Sequence, residues 1–222
     1  MDFETARFNM IEQQIRPWNV LDQTILDLLK TVKREHFVCE SLQNVAFADC
    51  DLPIRIADKN TGEYMFSPKL EARFLQELHI QPADKVLEIG TGTGYMAALL
   101  TCLAAEVNTI EIQPEIAALA RHNLQKNGID LVKVIDGCGF ERAPSLGQFD
   151  VIVLSGSTEL LPETLLKHLS PGGRFLGIAG KEAPLQATLV KKSHTGNLST
   201  TPLFETWAKP LANGPKAPVF EF

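Results

Sequence analysis

The segment Val86-Leu-Glu-Ile-Gly-Thr-Gly-Thr-Gly-Tyr95 decides the fold. An apolar run ends at Ile89, and Gly90, Gly92 and Gly94 turn the chain toward a helix that starts at Tyr95. Glycine tolerates left-handed backbone and lets a ligand approach the main chain closely. In open α/β sheets ligands bind beyond the carboxyl ends of the strands, where the strand order reverses. The loop therefore predicts the floor of a cofactor site.

Outward from it, two kinds of segment alternate. Residues 107–111, 132–135, 151–154 and 174–178 are short apolar runs that read as strands. Residues 95–103, 114–126 and 162–169 read as helices, the second closed by Asn127-Gly128 and the third stopped by Pro171-Gly172-Gly173. Ser67 and Pro68 open another helix through Leu78, as N-cap and first helical residue. This order predicts an α/β fold: a doubly wound, mainly parallel sheet with helices on both faces. Residues 185–192 and 203–207 add a C-terminal antiparallel pair joined through His194-Thr-Gly-Asn197, and a tail with three prolines, 209–222, packs irregularly. In front, Phe8, Ile11 and Ile15, then Ile25, Leu28, Leu29 and Val32, recur at helical spacing. They predict an N-terminal helical region of two helices, separated by Pro17 and Asn19, with Asp22 capping the second. Residues 46–62 read as loop or short strand. The expected organisation is a cap over 1–62 within the same domain as a cofactor-binding region over 63–222.

The glycine spacing G-x-G-x-G departs from the dinucleotide pattern G-x-G-x-x-G, because Tyr95 stands where the last glycine belongs. No Gly-Lys-Ser/Thr follows, which excludes a P-loop. Glu88, two residues before the first glycine, would repel a pyrophosphate but suits a ligand carrying an ammonium and a sulfonium, which is S-adenosylmethionine. Glu111 ends the next strand 21 residues after Gly90, near the ~20-residue spacing of acids that grip ribose hydroxyls. Ile112 follows it, and Asp136-Gly137 closes the third strand, where the carboxylate suits an adenine amino group. The predicted cofactor residues are Glu88, Gly90, Thr91, Gly92, Gly94, Glu111, Ile112, Asp136 and Gly137.

Composition narrows the class without naming a chemistry. The 222 residues carry 21 Lys and Arg against 27 Asp and Glu, a net charge of −6. Broad nucleic-acid binding, which requires many cations against phosphate, is disfavoured. Cys39, Cys50, Cys102 and Cys138 form no C-x-x-C pair, and no two of the five histidines have metal-ligand spacing, so no metal is expected. The longest apolar run, 96–105, is about half of the ~20 residues a membrane span needs. The polar, acidic start is unlike a signal peptide, and a cytoplasmic location is expected.

The block VLEIGTGTGY, Glu111, Asp136-Gly137 and the string PGGRFLGIAG resemble the Rossmann-like class I S-adenosylmethionine-dependent methyltransferases. Within that class the chain resembles the protein-L-isoaspartate O-methyltransferase family. Its lead carries the more specific likeness, in Met10-Ile-Glu-Gln-Gln-Ile15, Val32-Lys-Arg-Glu-His-Phe-Val38 and Asp49 to Ile54, and the likeness covers nearly the whole chain. The resemblance implies methyl transfer to the free carboxylate of isoaspartyl residues in damaged proteins or peptides. The ester then collapses to a succinimide, which is a repair route.

One segment departs from the family's pattern. Aligning Tyr64-Met-Phe-Ser-Pro68 on the family's Thr-Ile-Ser-x-Pro puts Phe66 at the position of a serine thought to contact the acceptor. Met65 lies beside it, and Ser67, one place later, is the candidate replacement or simply a helix cap. Ser155 and Ser157, after the fourth strand, are further acceptor-side hydroxyls. Two alternatives stand beside the isoaspartyl reading: a methyltransferase on another acceptor, such as a small molecule or RNA, and a cofactor-binding protein without isoaspartyl activity. The oligomeric state is not legible.

Overall fold

The computed structural model describes residues 2–218, so the last four residues of the expected tail lie outside it. The chain opens with α1 (Phe3–Met10), where Asp2 accepts from the Glu4 and Thr5 amides. A π turn at Ile11–Ile15 and a 3-10 turn at Arg16–Trp18 extend it until Asn19, in left-handed backbone, ends the run. Then comes α2 (Gln23–Thr31), capped by Asp22, whose carboxylate accepts from the Thr24 amide at 2.8 Å. Met10, Ile11, Ile15, Ile25, Leu26 and Leu29 are buried. Phe8, expected on that face, is exposed. Arg7 turns inward instead, because the buried Glu35 offers its guanidinium a partner.

Over residues 46–62, expected as loop or short strand, the strand alternative holds from Leu52 and continues to Met65. There β1 (Leu52–Ile56) and β2 (Lys59–Met65) form an antiparallel hairpin. Its turn, Ala57-Asp58, holds both residues at positive φ without the Asn-Gly or Asp-Gly pair that marks such turns. The strand β2 also runs across residue 62, so the expected cap boundary falls inside a strand.

The main sheet follows: α3 (Pro68–Leu78), β3 (Lys85–Ile89), α4 (Tyr95–Thr101), β4 (Glu106–Glu111), α5 (Pro114–Lys126), β5 (Val132–Asp136), α6 (Gly139–Arg142), β6 (Phe149–Thr158), α7 (Glu163–Leu166), β7 (Leu169–Ala179), β8 (Leu185–Lys192) and β9 (Leu198–Thr206). Strand order is β5-β4-β3-β6-β7-β8-β9. Pairing is parallel from β5 to β7 and antiparallel for β8 and β9. The helix α7 is one turn rather than the expected eight residues. Strand β7 already begins at Leu169 and passes through Pro171-Gly172-Gly173, with Gly172 at φ 83°.

One core cluster joins the lead to α3, α4 and one face of the sheet, through Ile15, Phe37, Phe74, Tyr95, Val86, Val151 and Leu176. The other face packs Leu87, Ile89, Ile152 and Phe175 against Leu165 and Leu166 of α7. The sheet is thus covered on both faces. Strands run outward from β3 to β5, then return to β6 on the other side of β3. The loops after β3 and β6 diverge, and the cleft opens between them. No helix among the described residues is long and apolar enough to cross a membrane.

Candidate active site

Strand β3 delivers the glycine loop. Gly90, Gly92 and Gly94 all take positive φ, at 94°, 54° and 86°. At Gly90 a side chain would meet Leu211 at 3.1 Å and the Ser155 carbonyl at 3.2 Å; at Gly92 it would meet Ile54 at 3.2 Å. Glycine is needed here because the loop is covered by the hairpin on one side and the C-terminal segment on the other. Gly94 faces Ala120 and Leu124 of α5, so it shapes the loop and does not line the cleft.

Glu88 is fully buried beneath that loop, not presented on the surface of the main cleft as expected. Its carboxylate accepts from Thr109 Oγ1 at 2.8 Å and Ser155 Oγ at 2.7 Å, on the strands to either side. Burial pushes it up to about 7 against those two hydrogen bonds. Thr91 is buried too, sharing a hydrogen with Thr109 at 2.7 Å. Glu88, Thr91 and Met65 border a narrow recess behind the cleft, with Phe66 and Ser155 on its rim.

The main cleft, about 240 Å³, is lined by Gly90, Gly92, Glu111 and Ile112 among others. Glu111 closes β4 with each oxygen on a main-chain amide: Gly92 N–H donates at 3.0 Å and Gln113 N–H at 3.1 Å. Burial raises its carboxyl above the ordinary range despite those amides. Ile110, Ile112 and Ile116 form an apolar wall beside it, and Gly139 completes the wall. A side chain at Gly139 would overlap Ile89 at 2.3 Å, so α6 packs here only through glycine.

Asp136 is a correction. Its half-exposed carboxylate turns away from the cleft to Arg121, at 2.5 Å, because α5 brings that guanidinium alongside the end of β5. The adjacent Gly137 contributes its amide to the Glu111 carbonyl at 2.9 Å and fixes the strand end without lining the cleft.

On the opposite side, Phe66 does line the cleft, packed edge-on against Phe74 with its carbonyl accepting from Arg34. Ser67 does not. It starts α3, its amide donates to Asp51 at 2.9 Å, and its hydroxyl makes no cap hydrogen bond. Ser155 lines the cleft, but its proton goes to Glu88. Ser157 is buried, donating to the Ala208 carbonyl at 2.7 Å, so it anchors the C-terminal segment and offers no free hydroxyl. Sequence reasoning missed Asp51, Glu63, Tyr64 and Lys209, which also line the cleft. Only the hairpin and the strap after β9 bring them there, and neither was readable as a cleft wall. Among the described residues no group of His, Cys, Asp or Glu is arranged to hold a metal.

The residues fit the proposed cofactor on the geometry alone. Glu111 is desolvated yet keeps lone pairs for a diol, the loop backbone is open to close approach, and the acids suit a cation. A doubly wound sheet with this loop and acid at its switch point defines a class I S-adenosylmethionine-dependent methyltransferase. The family model described as protein-L-isoaspartate(D-aspartate) O-methyltransferase matches residues 5–214, and the chain belongs to that family. A protein-L-isoaspartate O-methyltransferase of Koribacter versatilis is 40% identical over 94% of this chain and 91% of its own. One of Methanoculleus marisnigri is 36% identical over 89% and 87%. A solved protein-L-isoaspartate O-methyltransferase structure is similar at a TM-score of 0.79 and 25% identity, over 95% of this chain and 66% of that longer one. A Plasmodium falciparum structure in complex with S-adenosyl-L-homocysteine shares the fold, at a TM-score of 0.78 and 18% identity, over 96% of this chain and 100% of that one.

Proposed function

We infer that the chain transfers the methyl group of S-adenosylmethionine to the free carboxylate of isoaspartyl residues in proteins and peptides. Family membership supports the acceptor class. The observation that carries the cofactor half is Glu111, held by two amides at the switch point and facing the cleft. Glu111 and the Gly90–Gly92 backbone would hold the ribose and the amino-acid end, and the isoleucine wall would take the adenine. When bound, S-adenosylmethionine supplies an electrophilic methyl carbon on a sulfonium, and the acceptor oxygen displaces the sulfur in line. The chain's own task is then positioning: Phe66 and Tyr64 wall the acceptor side and exclude water, while Glu88, raised to about 7 by burial, carries part of a negative charge below the loop near neutral pH. No general base is required, since a carboxylate is already ionised near neutral pH.

The methyl ester formed would collapse to a succinimide, giving repair of damaged chains. The four free thiols suit a reducing compartment, and the cytoplasm is the proposed location. A labelled-methyl assay on an isoaspartyl peptide beside its normal aspartyl twin tests the reading. Incorporation into the isoaspartyl peptide alone is the expected result. Transfer to neither peptide, with S-adenosylhomocysteine binding intact, would overturn it and favour a different acceptor, which Phe66 at the serine position motivates.

A further inference from the structure

We propose that Lys209 binds the acceptor carboxylate and exchanges Glu63 for it. The proposal rests on the isoaspartyl reading and names the residue that takes over where Phe66 supplies no hydroxyl.

Charge in the cleft leads to it. Its lining carries the carboxyl groups of Asp51, Glu63 and Glu111, and among the lining residues Lys209 is the sole Lys or Arg. Like charges close together repel, and more strongly near a protein surface than in open water. A cation of the chain at the cleft wall offsets that repulsion for an anionic acceptor. The serine hydroxyls are spent elsewhere, on Glu88 and Ala208. Tyr64, at the rim, offers a neutral donor and no compensating charge.

The position of Lys209 is built rather than incidental. Its carbonyl accepts from the Ser157 amide at 2.9 Å, and the Leu211 amide donates to the Ser157 carbonyl at 2.8 Å. The Ser157 hydroxyl holds the preceding Ala208 carbonyl. These bonds zip residues 208–211 onto the end of β6. At Gly156 a side chain would meet Leu211 at 2.7 Å and the Lys209 carbonyl at 3.1 Å, so the strap lies directly on the strand.

The ammonium donates to the Gly62 carbonyl at 2.8 Å and to Glu63 Oε1 at 2.7 Å. A lysine has three N–H donors, so one remains for a further acceptor. Glu63 is also held by Gln113 Nε2 at 2.9 Å, which keeps it in place when the lysine turns away. Both partners of the pair are about one-third exposed, and ion pairs at such exposure are weak. Exchange for an incoming carboxylate is therefore cheap. Glu63 already shows Lys209 engaging a carboxylate at the cleft wall.

Methyl transfer neutralises the acceptor. The ion pair with Lys209 is strongest in the ground state and fades toward the ester, so it stabilises substrate binding more than the transition state. Its loss should raise KM and leave kcat unchanged or somewhat higher. Product leaves as a neutral ester, and Lys209 returns to Glu63.

Steady-state methylation of an isoaspartyl peptide tests this with wild type, Lys209→Met, Lys209→Arg and Glu63→Gln, beside calorimetry with S-adenosylhomocysteine. Lys209→Met should raise KM at least tenfold with kcat changed less than about threefold, and Lys209→Arg should recover most of the loss. Glu63→Gln should lower KM about two- to fivefold, because the competing carboxylate is gone; S-adenosylhomocysteine affinity should stay within about twofold throughout. An unchanged KM in Lys209→Met overturns the proposal and leaves the isoaspartyl reading standing. So does a parallel loss of S-adenosylhomocysteine affinity, which would mark a strap that only supports the fold. No transfer by the wild-type chain overturns the reading, and the proposal with it.

Discussion

At Glu111 both carboxylate oxygens already accept a main-chain amide, and each keeps lone-pair capacity for one hydroxyl. Hydrogen bonds to charged groups contribute about 1.5–3 kcal/mol each. Glu111→Ala should therefore weaken S-adenosylhomocysteine binding by tenfold or more in calorimetry; equal affinity would remove Glu111 from the site. Glu88 makes a different prediction. Its carboxyl is raised to about 7, chiefly by burial, so the folded state holds the proton more tightly than the unfolded state, near 4.5. The stability this contributes is present below about pH 4.5 and lost as the pH rises through about 7, on the order of 3 kcal/mol in all. Denaturant unfolding at pH 5 and pH 8 should show wild type losing stability across that window, and Glu88→Gln losing less. Parallel losses would contradict the assignment. The place of Glu111 at the cleft was legible from its offset to the glycines, because a strand end fixes where a side chain must lie; the burial of Glu88 was not. Asp136 obeys the same offset rule, yet its direction depends on Arg121, 15 residues back on α5, and no spacing reports that. Lys209 meets partners 146 and 147 residues away, which no local pattern encodes.

Among the elements, the strap after β9 joins fold to chemistry. It lies on β6 through Ser157 on both sides of its backbone and needs Gly156 beneath it. A methyl group there would sit 2.7 Å from the Leu211 side chain, too close for any ordinary contact. Gly156→Ala should therefore lift the strap, costing ~1–3 kcal/mol by overpacking and reducing kcat/KM for the isoaspartyl peptide by tenfold or more. Wild-type kinetics in that variant would show that the strap does not shape the acceptor side. The parallel strands and their helices were readable because a strand buried on both faces is a continuous apolar run and each helix carries its own stop signal. The hairpin at 52–65 was legible only as loop or short strand over 46–62, without its pairing. Its exposed strand alternates around polar residues, and its turn puts alanine and aspartate where glycine or asparagine gives the usual mark.

Over the whole molecule, the first and last elements meet. The Trp18 ring stands edge-on to Phe204 of β9 at 5.0 Å, and the Trp18 carbonyl accepts from Arg73 of α3, whose guanidinium lies over Phe204. Arg34 of the lead is buried with Glu71 of α3 and donates to the carbonyls of Ala46 and Phe66. The lead therefore holds the Phe66 main chain through Arg34 and shares its core with the sheet. The two helices of the lead were legible in the sequence, but their union with the sheet rests on long-range contacts that periodicity cannot report. Breaking a buried ion pair by removing one partner typically costs about 3–5 kcal/mol. Arg34→Met should lower stability by that amount and, by freeing the Phe66 carbonyl, impair isoaspartyl methylation more than S-adenosylhomocysteine binding. If the lead and the sheet are one cooperative unit, wild type should unfold in a single denaturant transition. Trp18 in the lead and Trp207 after β9 would report the same midpoint by fluorescence that circular dichroism reports for the helices and strands. Arg34→Met should shift that midpoint without splitting it. Two separated transitions, in either protein, would instead mean that the lead folds and opens on its own.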